Sequence, residues 1–301
     1  MSGNMELAGE FAVIASGIYL EGLAIDNQRN IVWYSDVIAG GVYGLLPNGR
    51  TVSLNPGRMW TGGIMLNADG AVLSSGQGGI MWNNPDSGQS GWLLQEIDGQ
   101  AINGVNEMTP DGAGGLVFGT CDIENVARGE QPRPTTLYRL TAQRKVIKLA
   151  DGIGFSNGLM YDKQRHRLYC NDTFKCTWAF AVHADFALAD KTLLVGKDDA
   201  DGMALDAEGN VWLTGFRSSH LTRISAAGSL LPPVATPASA VTQVRFGGAD
   251  MRDVYLTTVP ADGGDNLKDG AIPTEKNSKL YRGRAAIPGM VIETANFKLG
   301  R

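Results

Sequence analysis

The chain carries only three cysteines, Cys121, Cys170 and Cys176, in 301 residues, and no CxxC pair. An odd count without that spacing excludes both a disulfide framework and a structural zinc site, and it suits a reduced, cytoplasmic setting. Histidine is equally scarce, at His166, His183 and His220. Basic residues do not dominate: 26 Lys and Arg stand against 31 Asp and Glu, a net charge of −5. That balance lacks the basic stripe of a nucleic-acid binder and the basic cluster that attaches a protein to an acidic membrane. The apolar run Phe11–Leu20 lies between Glu10 and Glu21 with no basic segment before it, so it does not read as an export signal. No stretch approaches the ~18–20 apolar residues that span a bilayer.

What is abundant is glycine. Forty glycines in 301 residues are about twice the usual share. They follow no Gly-X-Y period, so they read as the tight turns of an all-β protein. One pattern recurs: a small or polar pair, an apolar run, Asp or Asn, a turn, then a second apolar run. It appears from Glu21, Gly62, Asn106, Asn157, Asp201 and Thr242. Each copy reads as strand, turn, strand, with DG, EG or GG at the turn. The second strands centre on Trp33, Leu73, Phe118, Tyr169, Trp212 and Tyr255, spaced by 40, 45, 51, 43 and 43 residues. Such a period, with about four strands per unit, predicts a six-bladed β-propeller of four-stranded blades. A solenoid is the alternative. The whole chain, 1–301, is expected to form one such domain. Outer hairpins are predicted over Val42–Asn55, Leu137–Ala150, Leu221–Ala235 and Leu280–Thr294. The segment Glu10–Ser16 has no partner in its own unit and is predicted to close the ring against the last blade, covering its open edge.

Aligned copies place Glu21, Gly62, Asn106, Asn157, Asp201 and Thr242 at one level of the innermost strands, facing one axis. Any one of them alone would read as a residue that opens a strand and bonds a nearby turn. Two carboxylates converging without a counter-charge are disfavoured, and a bound cation resolves the conflict. Oxygen ligands select a hard ion: Ca²⁺ first, then Mg²⁺ or Mn²⁺, with Zn²⁺ and Fe²⁺ also permitted. No histidine occupies a ring position, and no GxSxG elbow supports a serine hydrolase.

Several motifs resemble the regucalcin, gluconolactonase and luciferin-regenerating enzyme family of six-bladed propellers. They are EG at Glu21–Gly22, SNGL at Ser156–Leu159, DGMALDAEGNVW at Asp201–Trp212 and FGGADMRDVYLTT at Phe246–Thr258. The resemblance implies a divalent metal on Glu21, Asn157 and Asp201, and a contact to water or substrate from Asn106. It also implies hydrolysis of lactones or, in some members, of phosphate triesters. The chain departs from the family pattern in three places: EGLA follows the first ligand, Gly104 stands where sugar-lactone members carry Arg, and Ile123 stands where they carry a carboxylate. Asp122 and Glu124, on either side of Ile123, are the candidates to take over that substrate contact. Loss of the Arg points toward a lactone less polar than a sugar aldonolactone, although Arg58, Arg128 or Arg217 could supply the charge from other loops.

The expected activity is therefore metal-dependent opening of a lactone ring. Asp201 is the candidate general base, or else a ligand only, and the metal a Lewis acid. Phosphotriester hydrolysis, or ligand binding without turnover, are the alternatives. The expected partner is a small molecule, and a propeller needs no second subunit, so a monomer or weak homo-oligomer is expected. Trp60, Trp82 and Trp92 offer an apolar wall or, for at least two of them, packing between blades. The loop Asp122–Pro134 is placed to cap the channel mouth. The loop Asp262–Ser278 is long enough to be functional or mobile.

Overall fold

A computed structural model describes residues 10–261 and 274–300. The described residues form six four-stranded antiparallel sheets and a two-stranded ribbon, Glu96–Ile97 with Gln100–Ala101. Blade one runs Leu20–Asp26, Ile31–Asp36, Val42–Leu45 and Thr51–Leu54. Blade two follows from Ile64 to Leu94, blade three from Val105 to Ile153, blade four from Ser156 to Val195 and blade five from Ala200 to Ala235. Blade six takes Val241–Gly247, Asp253–Thr258 and Ser278–Arg284. The innermost strands of successive blades neighbour one another, and that of blade six returns to blade one, which closes a six-bladed propeller.

The sequence explains the strands. Second strands such as Ile31–Asp36 and Asp253–Thr258 are buried along their whole length, because neighbouring blades cover both faces. They accordingly read as near-continuous apolar runs. Trp33, Phe118 and Trp212 are fully buried. Outer strands alternate: Thr51–Leu54 is exposed at every second residue. The outer strand Leu230–Ala235 tolerates Pro232 and Pro233 because an edge needs fewer ladder donors. The recurrent Asp of each unit fastens its turn. Asp26 accepts from the Gln28 and Arg29 amides, Asp111 from Ala113 and Gly115, and Asp206 from Glu208 and Asn210.

Ring closure uses the N-terminal strand as expected. Ala12–Gly17 pairs antiparallel with Ser278–Arg284, from Ala12 opposite Arg282 to Gly17 opposite Ser278. The hairpin expected over Leu280–Thr294 is corrected by this pairing. Only its first arm is a strand, because the fourth position of blade six is already filled. From Ala285 the chain instead crosses the ring face remote from the strand starts. Ala207 donates to the Pro288 carbonyl, Met290 to Leu205, Ala295 to Leu66 and Asn296 to Gly114. This C-terminal strap ties blades five, two and three. With Val291–Thr294 it walls a cavity that Leu23, Met65, Met160 and Phe246 line from the strands. One short helix, Ile123–Ala127, lies in the loop of blade three. No helix among the described residues is long and apolar enough to cross a membrane. The expected loop Asp262–Ser278 lies largely outside the described residues.

Candidate functional site

The six aligned ring positions lie at or next to the starts of the innermost strands, and their backbones are fixed from outside. A side chain on the second strand of one blade bonds the ring carbonyl of the next. Ser35 donates to the Gly62 carbonyl, Ser75 to Asn106, Asn171 to Asp201, Thr214 to Thr242 and Thr257 to Glu21. Five of the six ring carbonyls are held in this way, so the ring side chains project from a rigid collar. Gly62 is required at its place: a Cβ there would come within 2.5 Å of the Asn106 carbonyl and 2.9 Å of its Oδ1.

Glu21, Asn157 and Asp201 converge within this collar. Asn157 and Asp201 are buried, at 7% and 5% exposure. The Asp201 carboxyl is within hydrogen-bonding reach of both the Asn157 and Glu21 side chains, yet its Oδ1 is buried with no partner. Burial, followed by the Asp201 and Glu107 charges, holds the Glu21 carboxyl well above the usual carboxylate range. Burial also raises Asp201, with Glu107 and Asp199 adding to the effect and hydrogen bonds from Asn157 and Glu21 opposing it. Asn106 is half-buried on the same ring, its Nδ2 3.5 Å from the Ser156 carbonyl. No group of three or more His, Cys, Asp or Glu side chains among the described residues is arranged to hold a metal. The converging set is instead two carboxyls with amides, an all-oxygen donor set of the kind that suits hard divalent cations.

One residue further along each innermost strand stand Gly22, Gly63, Glu107, Gly158, Gly202 and Gln243. Two of the four glycines, Gly63 and Gly202, leave room for the two large side chains, and Gly22 and Gly158 lie against the backbone of the next blade. A Cβ at Gly63 would collide with Glu107 Oε1, and one at Gly202 with Gln243 Oε1. Glu107 of blade three and Gln243 of blade six meet across the ring, Gln243 Nε2 donating to Glu107 Oε2. Arg245 reaches Glu107 Oε2 at 3.3 Å and Gln243 Oε1 at 2.6 Å. All three are buried, at 3% exposure each. This bridge makes a second, internally paired layer beside the carboxylate ring.

The structure disposes the remaining candidates as follows. Asp122 is buried and gripped by Arg133, whose Nε lies 2.7 Å from Oδ2 and whose guanidinium also reaches Oδ1 at 2.9 Å. That pairing holds the Asp122 carboxyl down to about 2 and fastens the loop. Glu124 sits exposed in the first turn of the short helix. Ile123 between them turns inward, and a Cβ at Gly104 would lie 2.2 Å from its Cδ1. Arg58 spends its guanidinium on the Ser74, Ser75, Gln77 and Gly79 carbonyls and stacks on Trp92. Arg128 pairs with Glu130 and Arg217 with Asp198. Trp82 packs in the core against Gly91, and Trp92 lies over Arg58 on the outer strand. All three cysteines are buried and free, and burial pushes the Cys170 thiol up to about 12.

Two sets of residues escaped the sequence reading. Tyr19 lies against the carboxyl pair: burial and the Glu21 and Asp201 charges raise its phenol well above 10. Its signal was an aromatic two residues before Glu21. The bridge of Glu107, Gln243 and Arg245 was legible as the odd members of a ring of glycines, one position beyond the ring that was read.

The model of the SMP-30/Gluconolactonase/LRE-like region matches residues 20–260. The chain belongs to the SMP-30/gluconolactonase/LRE-like family. The pentonolactonase XacC of Haloferax volcanii is 26% identical over 202 residues, covering 65% of this chain and 67% of that protein. Two solved structures share the fold. A luciferin-regenerating enzyme superposes with a TM-score of 0.80 at 20% identity, covering 96% of this chain and 99% of that one. A structure described as a calcium-binding protein, regucalcin, from Agrobacterium tumefaciens gives a TM-score of 0.79 at 18% identity, covering 97% and 98%. Family membership agrees with the resemblance carried by the EG, SNGL, DGM and FGG motifs.

Proposed function

We propose that this member of the SMP-30/gluconolactonase/LRE-like family is a divalent-metal-dependent lactone hydrolase acting on a lactone less polar than a sugar aldonolactone. The observation that carries the metal is the buried, unpartnered Asp201 Oδ1 beside Glu21 and Asn157. A buried polar atom without a partner is costly. Here it belongs to one of two carboxyls that burial raises above the usual range, Glu21 further raised by the Asp201 and Glu107 charges and Asp201 only partly relieved by hydrogen bonds from Asn157 and Glu21. A hard cation held by Glu21, Asn157 and Asp201 relieves both problems, and Ca²⁺ is the ion we favour for this donor set. The lactonase name of the Haloferax relative supports the reaction class.

A bound divalent ion supplies Lewis acidity and eases ionisation of water. The chain's own residues do the rest. With Oδ1 turned to the ion, the Asp201 carboxylate accepts the proton of the attacking water at its other oxygen. Asn106, fixed by Ser75 through its carbonyl, orients the water or the lactone. Asp122 acts through its pairing with Arg133 as a latch on the loop, and Glu124 is the exposed group left to meet a substrate there. The collar of inter-blade hydrogen bonds keeps these groups from reorganising during reaction, which is where preorganised sites gain most. The lower polarity of the substrate rests on the contact of Gly104 with Ile123, which fills with hydrocarbon the place where sugar-lactone members carry charge.

The test is acid release from a panel of sugar and alkyl lactones. Metal-stripped protein is assayed before and after adding single divalent ions. Activity on alkyl lactones restored by one ion is the expected result. Full activity in the stripped protein would refute the metal, and turnover confined to phosphate triesters would refute the lactone.

A further inference from the structure

Three phenylalanines stand beside the carboxylate ring and take no part in the chemistry above. Phe155 lies two residues before Asn157. The Phe216 amide donates to the Asp199 carbonyl, two residues before Asp201, and the Phe174 amide donates to the carbonyl of Asp198. The backbone thus brings three rings from the neighbouring blades four and five to the edge of the site. They touch in series: Phe155 to Phe174 at 6.2 Å between centroids, Phe174 to Phe216 at 6.1 Å. Arg217, itself paired with Asp198, lies 5.1 Å over the Phe216 ring.

Phe174 is the unusual member. The residue is 48% exposed, and its backbone sits at φ +74°, a region that bulky residues rarely adopt. A single exposed aromatic needs no explanation. Three in contact along the rim of one site, the central one in a strained conformation, make a surface suited to an apolar ligand. On the adjoining side, blade three presents Ile123 packed against Gly104. Apolar side chains therefore stand near the ring positions in sequence or backbone bonding on three blades: Ile123 against Gly104, two residues before Asn106, Phe155 two before Asn157, and Phe216 bonded to Asp199, two before Asp201.

We infer that Phe155, Phe174 and Phe216 form a specificity wall on which an apolar ring substituent of the substrate packs, so that the preferred lactones carry an alkyl or aryl side chain. This deepens the lactonase reading and rests on it for the identity of the reacting ring. The wall acts on binding, and its removal is read chiefly in KM.

The experiment compares δ-valerolactone with the same ring bearing a five-carbon chain, in wild type, Phe174→Ala and Phe174→Gly. Glycine relieves the positive φ, so it keeps the comparison valid if alanine folds poorly. The expected result is a drop in the ratio of kcat/KM, substituted over unsubstituted, of about tenfold or more in both variants, carried by KM, as for loss of a hydrophobic contact. An unchanged ratio, with both lactones still hydrolysed, overturns the wall while leaving the lactonase standing. Binding of the alkyl-substituted cyclic ketone, which cannot be hydrolysed, is measured alongside by calorimetry. Ketone affinity that falls about tenfold in Phe174→Ala supports the wall even if no lactone is turned over, a result that would sink the lactonase alone. Equal ketone affinity in wild type and variants overturns the wall.

Discussion

Two consecutive levels of the central ring use buried carboxyls in opposite ways. At the first, Glu21 and Asp201 face each other with amides alongside, and one carboxyl oxygen is left without a partner. At the next, Glu107 is met by Gln243 and Arg245 from the opposite blade, and its Oε1 accepts from the Met108 amide. The second level is complete within the chain. The first leaves the Asp201 Oδ1 without a partner among the described residues. A buried acid with its counter-charge in the same chain is structure, whereas one without it is an invitation to a ligand.

The contrast is broken most strongly at Asp201. Asp201→Asn keeps the volume and removes the base, and turnover of the preferred lactone is expected to fall about 10²–10⁴-fold. Near-wild-type turnover, with the ion still bound, would reduce Asp201 to a ligand. At the paired level the expected loss is in stability instead. Arg245→Met leaves Glu107 buried and uncompensated, at a cost of about 3–5 kcal/mol in urea unfolding. The double variant with Glu107→Met should recover most of that loss. A single variant as stable as wild type would show that the bridge is ornamental.

Glu21→Gln sharpens the comparison from the other side. In chelator, at a pH high enough to ionise both carboxyls, it removes half of a repelling pair, so the melting temperature of the stripped protein should rise, and the gain on adding calcium should vanish. Loss of stability in chelator would mean that the pair already has its partner within the chain. The pH dependence follows with the sign fixed by the raised carboxyls of Glu21 and Asp201. Their folded values lie above the unfolded range near ~4. The stripped protein therefore binds more protons folded than unfolded, and it loses stability as pH rises from ~4 through their folded values. A divalent ion displaces that proton, so its stabilising effect should grow over the same range, checked by thermal melts with and without calcium. Asp122 runs the other way. Arg133 holds it down to about 2, so its contribution is present above ~4 and is lost as pH falls toward its folded value. Arg133→Ala is the mildest change: protease cutting within 123–133 should quicken while the global melting temperature stays near wild type.

Much of this was legible in the residues themselves. The spacing of Trp33, Leu73, Phe118, Tyr169, Trp212 and Tyr255 marked the blades, because a strand covered on both faces must be apolar whatever its neighbours are. The ring of Glu21, Asn106, Asn157 and Asp201 followed from the same repeat, since a periodic fold returns equivalent positions to one level. What failed shows the boundary of such reasoning. Leu280–Thr294 carries hairpin-like alternation, but the competition for the last edge was decided by Ala12–Gly17, more than two hundred and sixty residues earlier in the chain. Asp122 reads in sequence as a substrate contact, and nothing in its sequence neighbourhood announces that Arg133, eleven residues on, pairs with its carboxylate.

The sequence by itself therefore determined the number of blades, the strands and the ring of polar residues, because these depend on local alternation and its repetition. Only the tertiary structure decided which buried acids are paired, where the C-terminal strap runs and which phenylalanine rings meet. Those outcomes depend on side chains from distant blades meeting at an axis, and the free energy of a buried charge is set by its partners in space rather than by its neighbours in the chain.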